Sequence, residues 1–179
     1  PQASKERTRR PSEQEIQQIC EALHYTENGT PHLITQRCAI ALLFAIETAM
    51  RAGEICALKW ENIHFDRRIA HVAQSKNGHP RDVPLTKRAI ALLEKLRPID
   101  PISVFKIQAH SLDVLFRRAR DNCGITDLHF HDSRREALTR LSKKVPVETL
   151  AKISGHRSLN ILLNVYYRPD MTEIADMLD

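Results

Sequence analysis

Hydrophobic positions return every three or four residues over most of the chain. Ile16, Ile19 and Leu23 form the first such stripe, which predicts an amphipathic helix with one side packed against a core. Ser12 and Glu15 stand three residues apart just ahead of the stripe, and this pair is typical of a capping box. The sequence therefore predicts that the first helix begins after Ser12.

Residues 35–50 are apolar on almost every side, which predicts a buried central helix. The longest unbroken apolar run, residues 38–46, has nine residues, about half of the ~18 that a membrane span needs. We therefore expect no membrane partner. The same helical spacing predicts further helices at residues 54–58, 86–96, 111–123, 134–141, 147–153 and 158–166, and from Met171 onward.

Between residues 63 and 85 the pattern changes to one that favours β-strands. Short apolar runs at residues 63–65, 69–73 and 81–85 predict strands, and Asn77-Gly78 is a strong signal for a hairpin turn. Because Pro80 and Pro84 cannot donate to a strand ladder, the last strand is expected at a sheet edge. We predict an α+β, mainly α fold, in which helices surround a small three-stranded antiparallel sheet.

The composition indicates one globular, reduced domain. The chain has 179 residues, of which 42% are hydrophobic, and this excludes the disordered and low-complexity classes. Its four cysteines stand at long spacings, so neither a zinc knuckle nor a disulfide framework is predicted. The chain opens with a polar, basic segment rather than a secretory signal, and we expect a cytoplasmic protein.

Positive charge is concentrated in three segments. The formal net charge is +5, yet residues 1–10 carry +3, residues 67–88 carry +5 and residues 134–144 carry +4, which leaves −7 elsewhere. Such clustering favours a polyanionic partner, nucleic acid above all.

Two basic residues occupy positions suited to phosphate chemistry. Arg51 ends an apolar helix, so its guanidinium either pairs with Glu47 or Glu54 or remains available to an anion. Lys76 precedes the predicted turn, where its ammonium group could protonate a leaving oxygen. The alternative for Lys76 is an ordinary solvated lysine.

His131 and Arg134 stand three residues apart and are expected to share one face of a helix. That face could present an imidazole and a guanidinium to a single phosphate, with Asp132 or Ser133 as the helix cap. A metal site at His129 and His131 is the alternative, but no third ligand stands at a suitable spacing, so no metal site is predicted.

The last candidate segment contains a histidine on a turn and a pair of tyrosines. Gly155 is expected to end a helix, which places His156 on the turn, and Ser158 is expected to cap the next helix. Tyr166 and Tyr167 follow on an otherwise aliphatic helix. They are either reactive phenols or core aromatics anchored by their hydroxyl groups.

Taken together, these segments resemble the catalytic domain of the tyrosine recombinases, the phage integrase family. The resemblance extends from about residue 10 to residue 178 and rests on the order Arg…Lys…His-x-x-Arg…Gly-His…Tyr. It implies that the catalytic positions are Arg51, Lys76, His131, Arg134, His156 and a nucleophilic tyrosine.

The tyrosine is where this chain departs from the family pattern. The family's nucleophile usually stands nine residues after the second histidine, a place that Val165 occupies. Matching Tyr166-Tyr167-Arg168-Pro169 to the family's Tyr-x-x-Pro ending favours Tyr166, with Tyr167 as the alternative. The resemblance also implies that residues 1–10 are the remnant of a linker from an N-terminal DNA-binding domain, and that residues 11–179 are the catalytic domain.

The implied reaction is attack of the tyrosine on a DNA phosphodiester, giving a 3′-phosphotyrosyl intermediate without a cofactor. Arg51, Arg134 and His156 would bind the phosphate, Lys76 would protonate the 5′ oxygen and His131 would serve the tyrosine as acid and base. The implied partners are double-stranded DNA and further copies of the chain on DNA. An apolar stripe formed by Met171, Ile174 and Leu178 is expected either to dock on a neighbouring protomer or to pack on its own core.

Two other functions remain open from the sequence. A non-catalytic helical DNA-binding module would account for the charge, although not for the coexistence of these reactive side chains. A hydrolytic nuclease would require a carboxylate cluster for Mg²⁺, and no compact Asp/Glu group accompanies the candidate residues.

Overall fold

A computed structural model describes residues 7–73 and 79–179. The helices are α1 (Glu13–Ala22), α2 (Ile34–Thr48), α3 (Ala52–Cys56), α4 (Lys87–Leu96), α5 (Ala109–Asn122), α6 (Asp132–Ser142), α7 (Val147–Ser154), α8 (Leu159–Tyr166) and α9 (Met171–Leu178), with a 3-10 turn at Trp60–Asn62. The strands are β1 (Ile63–His64), β2 (Ile69–Val72) and β3 (Arg81–Pro84). The predicted fold class is confirmed.

The three strands form one antiparallel sheet in the order β1-β2-β3. Ile63 pairs with Ala70, and Val72 pairs with Arg81. The strand β3 lies at the edge, as its prolines predicted, and it also contacts α7. Asn77-Gly78, the predicted hairpin turn, and Lys76 lie outside the described residues.

Helix α2 is the centre of the core. Its apolar residues are buried almost all the way round, as predicted, and Phe44 packs on Phe105 with ring centroids 5.3 Å apart. The helix contacts α4, α5 and α6. Because α2 ends at Thr48 and α6 lies against it, the segments that carry Arg51 and Arg134 meet at one end of this core.

The predicted local signals hold at the helix ends. The Ser12 hydroxyl accepts a hydrogen bond from the Glu15 amide at 3.1 Å, and the Glu15 carboxylate accepts one from the Ser12 amide at 2.9 Å. Gly155 ends α7 with φ +78°, a left-handed conformation that glycine adopts without strain. Ser158 caps α8.

The predicted cap of α6 is wrong. His131 occupies the N-cap position, and neither Asp132 nor Ser133 does. The Asp132 carboxylate is instead engaged by the backbone amide of His129 at 2.8 Å and by the guanidinium of Arg7. Residues 7–10 therefore contact the folded body at α6. Whether residues 1–10 serve as a linker stays a prediction.

The C-terminal helix packs weakly. None of the residues of α9 is buried: within the predicted stripe Met171 and Leu178 are 69% and 80% exposed, and Ile174 is half-buried. The expectation that the tail packs on its own core is therefore not met by Met171 and Leu178. No helix within the described ranges is long and apolar enough to span a membrane.

Candidate active site

Arg134 lies at the centre of the candidate site and is only 4% exposed. Its guanidinium donates to the carbonyl oxygens of Ala49 and Ser154, the latter at 2.8 Å. These carbonyls belong to the ends of α2 and α7, so one side chain joins three segments. Burial and the charges of Arg51 and Arg81 lower the pKa of Arg134 to about 9.

Arg51 stands at the N-cap of α3, beside this group, with its guanidinium partly withdrawn from solvent. The Nη1 atom is buried and has no hydrogen-bond partner among the described residues. Its contact with Glu54 is loose at 3.8 Å, and the Glu47 carboxylate accepts from the Thr86 hydroxyl instead. A buried donor without an acceptor is costly, and a bound anion would satisfy it.

Glu54 is bound mainly by Arg81, a residue that the sequence reasoning did not single out. Arg81 donates to both carboxylate oxygens, at 2.6 and 2.9 Å, and the two side chains are 7% and 2% exposed. Burial alone would raise the pKa of Glu54, but hydrogen bonds from Arg81 and the Arg51 amide keep it below its usual value. The carboxylate thus holds the N-terminus of α3 and leaves the Arg51 side chain largely unpaired.

The turn that carries His156 rests on the same arginine. Arg81 Nε donates to the Ile153 carbonyl at 2.8 Å. A Cβ atom added at Gly155 would lie 3.2 to 3.3 Å from the Arg81 guanidinium, so the glycine permits a close approach as well as the turn. The Glu54–Arg81 pair therefore holds the backbone near both site residues: Glu54 accepts from the Arg51 amide, and Arg81 donates to the Ile153 carbonyl ahead of His156.

The His156 ring points back into the site. Its Nδ1 atom lies 2.6 Å from the Ser154 hydroxyl and 3.4 Å from Arg134 Nη2. Burial, followed by the charges of Arg134 and Arg51, lowers the pKa of His156 to about 4. The imidazole is therefore neutral near pH 7 and can donate one ring N–H.

His131 lies at the edge of the site. It remains open to solvent on a cleft of about 560 Å³, which Phe130 and the side chains of α5 also line. The protein atoms around the ring and the charges of Arg134 and Arg51 lower the pKa of His131. The described residues contain no cluster of three or more His, Cys, Asp or Glu side chains that could hold a metal ion.

The two tyrosines have different environments. The Tyr167 hydroxyl donates to the Val145 carbonyl at 2.7 Å, and burial raises the pKa of that phenol. Tyr166 is half-buried with its ring above Arg135, 5.6 Å from guanidinium carbon to ring centroid, and its phenol contributes to the electrostatic field at Arg134. The core-aromatic interpretation therefore fits Tyr167 better than Tyr166.

The fold thus brings four of the predicted residues into one electrostatic group. Arg51 and Arg134 are far apart in the chain, and both act on His156 and His131. Lys76 lies outside the described residues. The sequence pattern does not predict the pairing of Glu54 with Arg81, although it offers Glu54 as a partner for Arg51.

Comparison with known proteins decides the family. Residues 9–173 match the family described as the phage integrase family. The chain belongs to the phage integrase family. A Haemophilus influenzae protein assigned as an integrase/recombinase is 51% identical over 100% of this chain and 59% of its own length. A shufflon-specific DNA recombinase of Escherichia coli is 45% identical over 66% of this chain and 31% of its own length.

Solved structures support the same fold for this integrase-family chain. The Tn1549 transposon integrase in complex with transposon right end DNA has a TM-score of 0.76 at 15% identity, covering 100% of this chain and 69% of that one. Lambda integrase bound to DNA has a TM-score of 0.70 at 19% identity, covering 94% and 64%. The chain spans 59% of the length of the Haemophilus influenzae relative and 48% of the length of a second protein from the same organism, to which it is 48% identical.

Proposed function

We propose that this chain is the catalytic domain of a site-specific DNA recombinase that cleaves and rejoins DNA through a covalent 3′-phosphotyrosyl intermediate. One observation carries the proposal most directly. The charges of Arg51 and Arg134 lower the pKa of His156, Arg134 Nη2 lies 3.4 Å from His156 Nδ1, and a buried Arg51 nitrogen has no partner among the described residues.

Uncompensated positive charge supports a phosphate site here: burial is the main cause of the lowered pKa values of Arg134 and His156, and the charge of Arg51 lowers both further. Positive side chains lower one another's pKa values when no anion compensates them. Two guanidinium forks and a ring N–H match the nonbridging oxygens of a phosphodiester, and fixed donors of this kind stabilise the charge that develops in the transition state. The Glu54 carboxylate does not compete for this position, because Arg81 holds both of its oxygens.

The reaction is a transesterification in which the number of phosphoester bonds is conserved. The Tyr166 phenol oxygen attacks phosphorus, the bond to the 5′ oxygen breaks, and a 3′-phosphotyrosyl ester forms. His131 accepts the phenol proton, and Lys76 donates a proton to the departing 5′ oxygen. Because the ester retains the phosphate-bond energy, the reverse attack by a 5′ hydroxyl rejoins the strand without a cofactor.

Tyr166 is favoured over Tyr167 as the nucleophile. The Tyr167 hydroxyl is committed to the Val145 carbonyl, and its raised pKa disfavours the phenolate. Tyr166 ends α8 close enough to Arg134 to interact with it electrostatically. Adjacent positive charge is what a phenol with an ordinary pKa near 10 requires in order to ionise near neutral pH.

The test uses a nicked suicide duplex that contains the cognate site, incubated with the protein in EDTA. We expect a protein–DNA adduct that survives denaturation and is absent with Tyr166→Phe. Tyr167→Phe is the matched control and should still form the adduct, because it removes only a hydrogen bond to a backbone carbonyl. The cognate site is first obtained by selecting bound fragments from the DNA that surrounds the gene.

The other outcomes are equally informative. An adduct that persists in Tyr166→Phe and disappears in Tyr167→Phe would move the nucleophile by one residue. Binding to the selected site without any adduct would favour a non-catalytic DNA-binding module and overturn the proposed reaction.

We also propose that the domain self-associates on double-stranded DNA through α9, in the cytoplasm of a prokaryotic cell. Support comes from the apolar side chains that α9 and α8 leave exposed, including Met171, Met177, Leu178 and Ile161. Exposed apolar surface can mark an interaction site. Lambda integrase has been solved as a dimer bound to a core site, and a neighbouring copy is the partner we propose here.

A further inference from the structure

Residues 7–10, here called the strap, are attached to the helix that carries the candidate site. The Arg7 guanidinium makes a two-point contact with Asp132, with Nε 3.0 Å from Oδ1 and Nη2 2.8 Å from Oδ2. The same guanidinium reaches the side chain and backbone of Asp127 at 3.0 and 2.9 Å. The Asp132 side chain is only 3% exposed, so Arg7 supplies the positive partner of a buried carboxylate.

Further contacts tie the strap to the same helix. Arg135 donates to the Arg7 carbonyl at 3.1 Å, and Arg10 Nε lies 2.9 Å from the Glu136 carboxylate. Arg135 is also the residue beneath the Tyr166 ring. The strap therefore contacts α6 on both sides of Arg134 along the sequence.

Asp132 stands inside the His-x-x-Arg motif and determines how its first residue is held. Its carboxylate accepts the His129 amide at 2.8 Å, which closes the turn that leads into His131. His131 has no side-chain cap hydrogen bond of its own. The backbone turn that leads into His131 is therefore closed by Asp132, and Arg7 binds the same carboxylate.

We propose that Arg7 is a positioning residue for His131, acting through Asp132, so that the strap sets the alignment of the proposed acid–base group. The proposal rests on the proposed function for its role in catalysis, but the mechanical coupling of Arg7, Asp132 and His131 can be tested separately. Arg7 would then contribute to the reaction although it lies 125 positions before Asp132 in the sequence.

Electrostatics provides a signature of this coupling that stability alone would not give. The groups that act on His131 are Arg134, Arg51, Asp132 and Arg7, of which Asp132 raises its pKa and the arginines lower it. The charged and titratable side chains of the adjoining cleft remain unchanged in every variant used below: Asp113, Arg117, Arg120 and His129.

The experiment is an NMR titration of the His131 ring in the free protein, with His131→Gln to assign the signal. Arg7→Gln should raise the titration midpoint, since it removes a cation and leaves the Asp132 carboxylate unpaired. Asp132→Asn should lower the midpoint, and the double variant should return it toward the wild-type value. Arg9→Gln is the matched control, because Arg9 pairs with Glu15 rather than with α6.

Adduct formation on the suicide duplex supplies the second measurement. We expect Arg7→Gln to slow adduct formation by roughly 10- to 100-fold, as a displaced catalytic group does, with Arg9→Gln within about twofold of wild type on the same scale. If Arg7→Gln does not fold, Asp132→Asn and the double variant report the same coupling.

The outcomes separate this proposal from the proposed function. A wild-type protein that forms no adduct would overturn the recombinase reaction. The His131 titration would still test whether Arg7 and Asp132 are coupled to His131. An His131 titration that is identical in wild type, Arg7→Gln and Asp132→Asn would overturn the strap whatever the adduct assay shows.

Discussion

The two sides of the candidate site are built in opposite ways. On one side the side chains of Arg134, Glu54 and Arg81 are almost fully buried. Glu54 and Arg81 form an ion pair, and Arg134 donates to backbone carbonyls at the ends of two helices. On the other side Tyr166 ends α8, in which only Leu162 is buried, and the following α9 has no buried residue. The first side belongs to the core, and the second lies on its surface.

Under the proposed function, this difference separates phosphate binding from nucleophilic attack. A phosphate site whose donors are fixed before DNA arrives requires little rearrangement when charge develops. A segment with few buried contacts opens at a low free-energy cost, so the position of Tyr166 could respond to the neighbouring copy that we propose. Under the proposed function, the buried side would be a preformed anion pocket and Tyr166 an adjustable nucleophile.

The largest loss of stability is expected from removing the buried Glu54–Arg81 ion pair. Glu54→Ala should reduce the free energy of unfolding by about 3 to 5 kcal/mol, because it leaves the Arg81 guanidinium buried without its carboxylate. Urea denaturation followed by circular dichroism measures this loss. Glu94→Ala removes an exposed ion pair with Arg97 and should cost less than about 1 kcal/mol. Equal losses in the two variants would show that the Glu54–Arg81 pair does not hold the site.

A smaller effect is expected when pH is used to probe the same side. The pKa of His156 is about 4 in the folded chain, against about 6.5 for a histidine in an unfolded chain. Between these values the unfolded state binds more protons, so this contribution to stability is present above pH 6.5 and is lost as the pH falls toward 4. Allowing for solvent screening, its size is about 1 to 2 kcal/mol.

Chemical denaturation of wild type and His156→Gln between pH 4 and 7 measures this contribution as a difference between the two curves. The exposed His110→Gln variant serves as the control and should follow wild type. Inorganic phosphate should flatten the wild-type curve, because an anion in the pocket favours the imidazolium. A difference that stays constant with pH would contradict the burial of a neutral His156.

The smallest effect on stability is expected at the surface side. A chain that ends at Pro169 lacks α9 and should unfold within about 0.5 kcal/mol of the intact chain, as is usual for changes away from buried features. The same chain should still bind DNA but should fail to form the larger complex, which sedimentation on a duplex with two sites would measure. A large loss of stability would show that α9 belongs to the core.

Much of the fold could be predicted from short-range patterns. Ser12 with Glu15, the glycine at 155 and the changes of hydrophobic period each report a local conformation, and the corresponding helices and strands begin and end within a few residues of their predicted positions. That Arg51, His131, Arg134 and His156 belong to one site could be inferred only from their order along the chain and the family resemblance that it carries, because no short-range pattern joins them.

The supports of the site could not be predicted, because they depend on charged residues that meet across long stretches of chain. Glu54 and Arg81 are 27 positions apart, and Arg7 and Asp132 are 125 apart. Hydrophobic period identifies the buried face of a helix but not which charged side chains are buried with it. The predicted cap of α6 is wrong for this reason: the Asp132 carboxylate accepts hydrogen bonds from Arg7, which is distant in sequence, and does not cap the helix.

The contacts of Arg134 have a consequence for how this domain can vary. The carbonyls that it binds close two helices, where the partial negative charge of a helix accumulates, so the side chain neutralises both ends at once. Lysine would keep the charge but lose the two-pronged geometry. Substitution at this position is therefore constrained both by stability and by the proposed binding of phosphate. We expect a variant library selected only for thermal stability, in the absence of DNA, to retain the arginine.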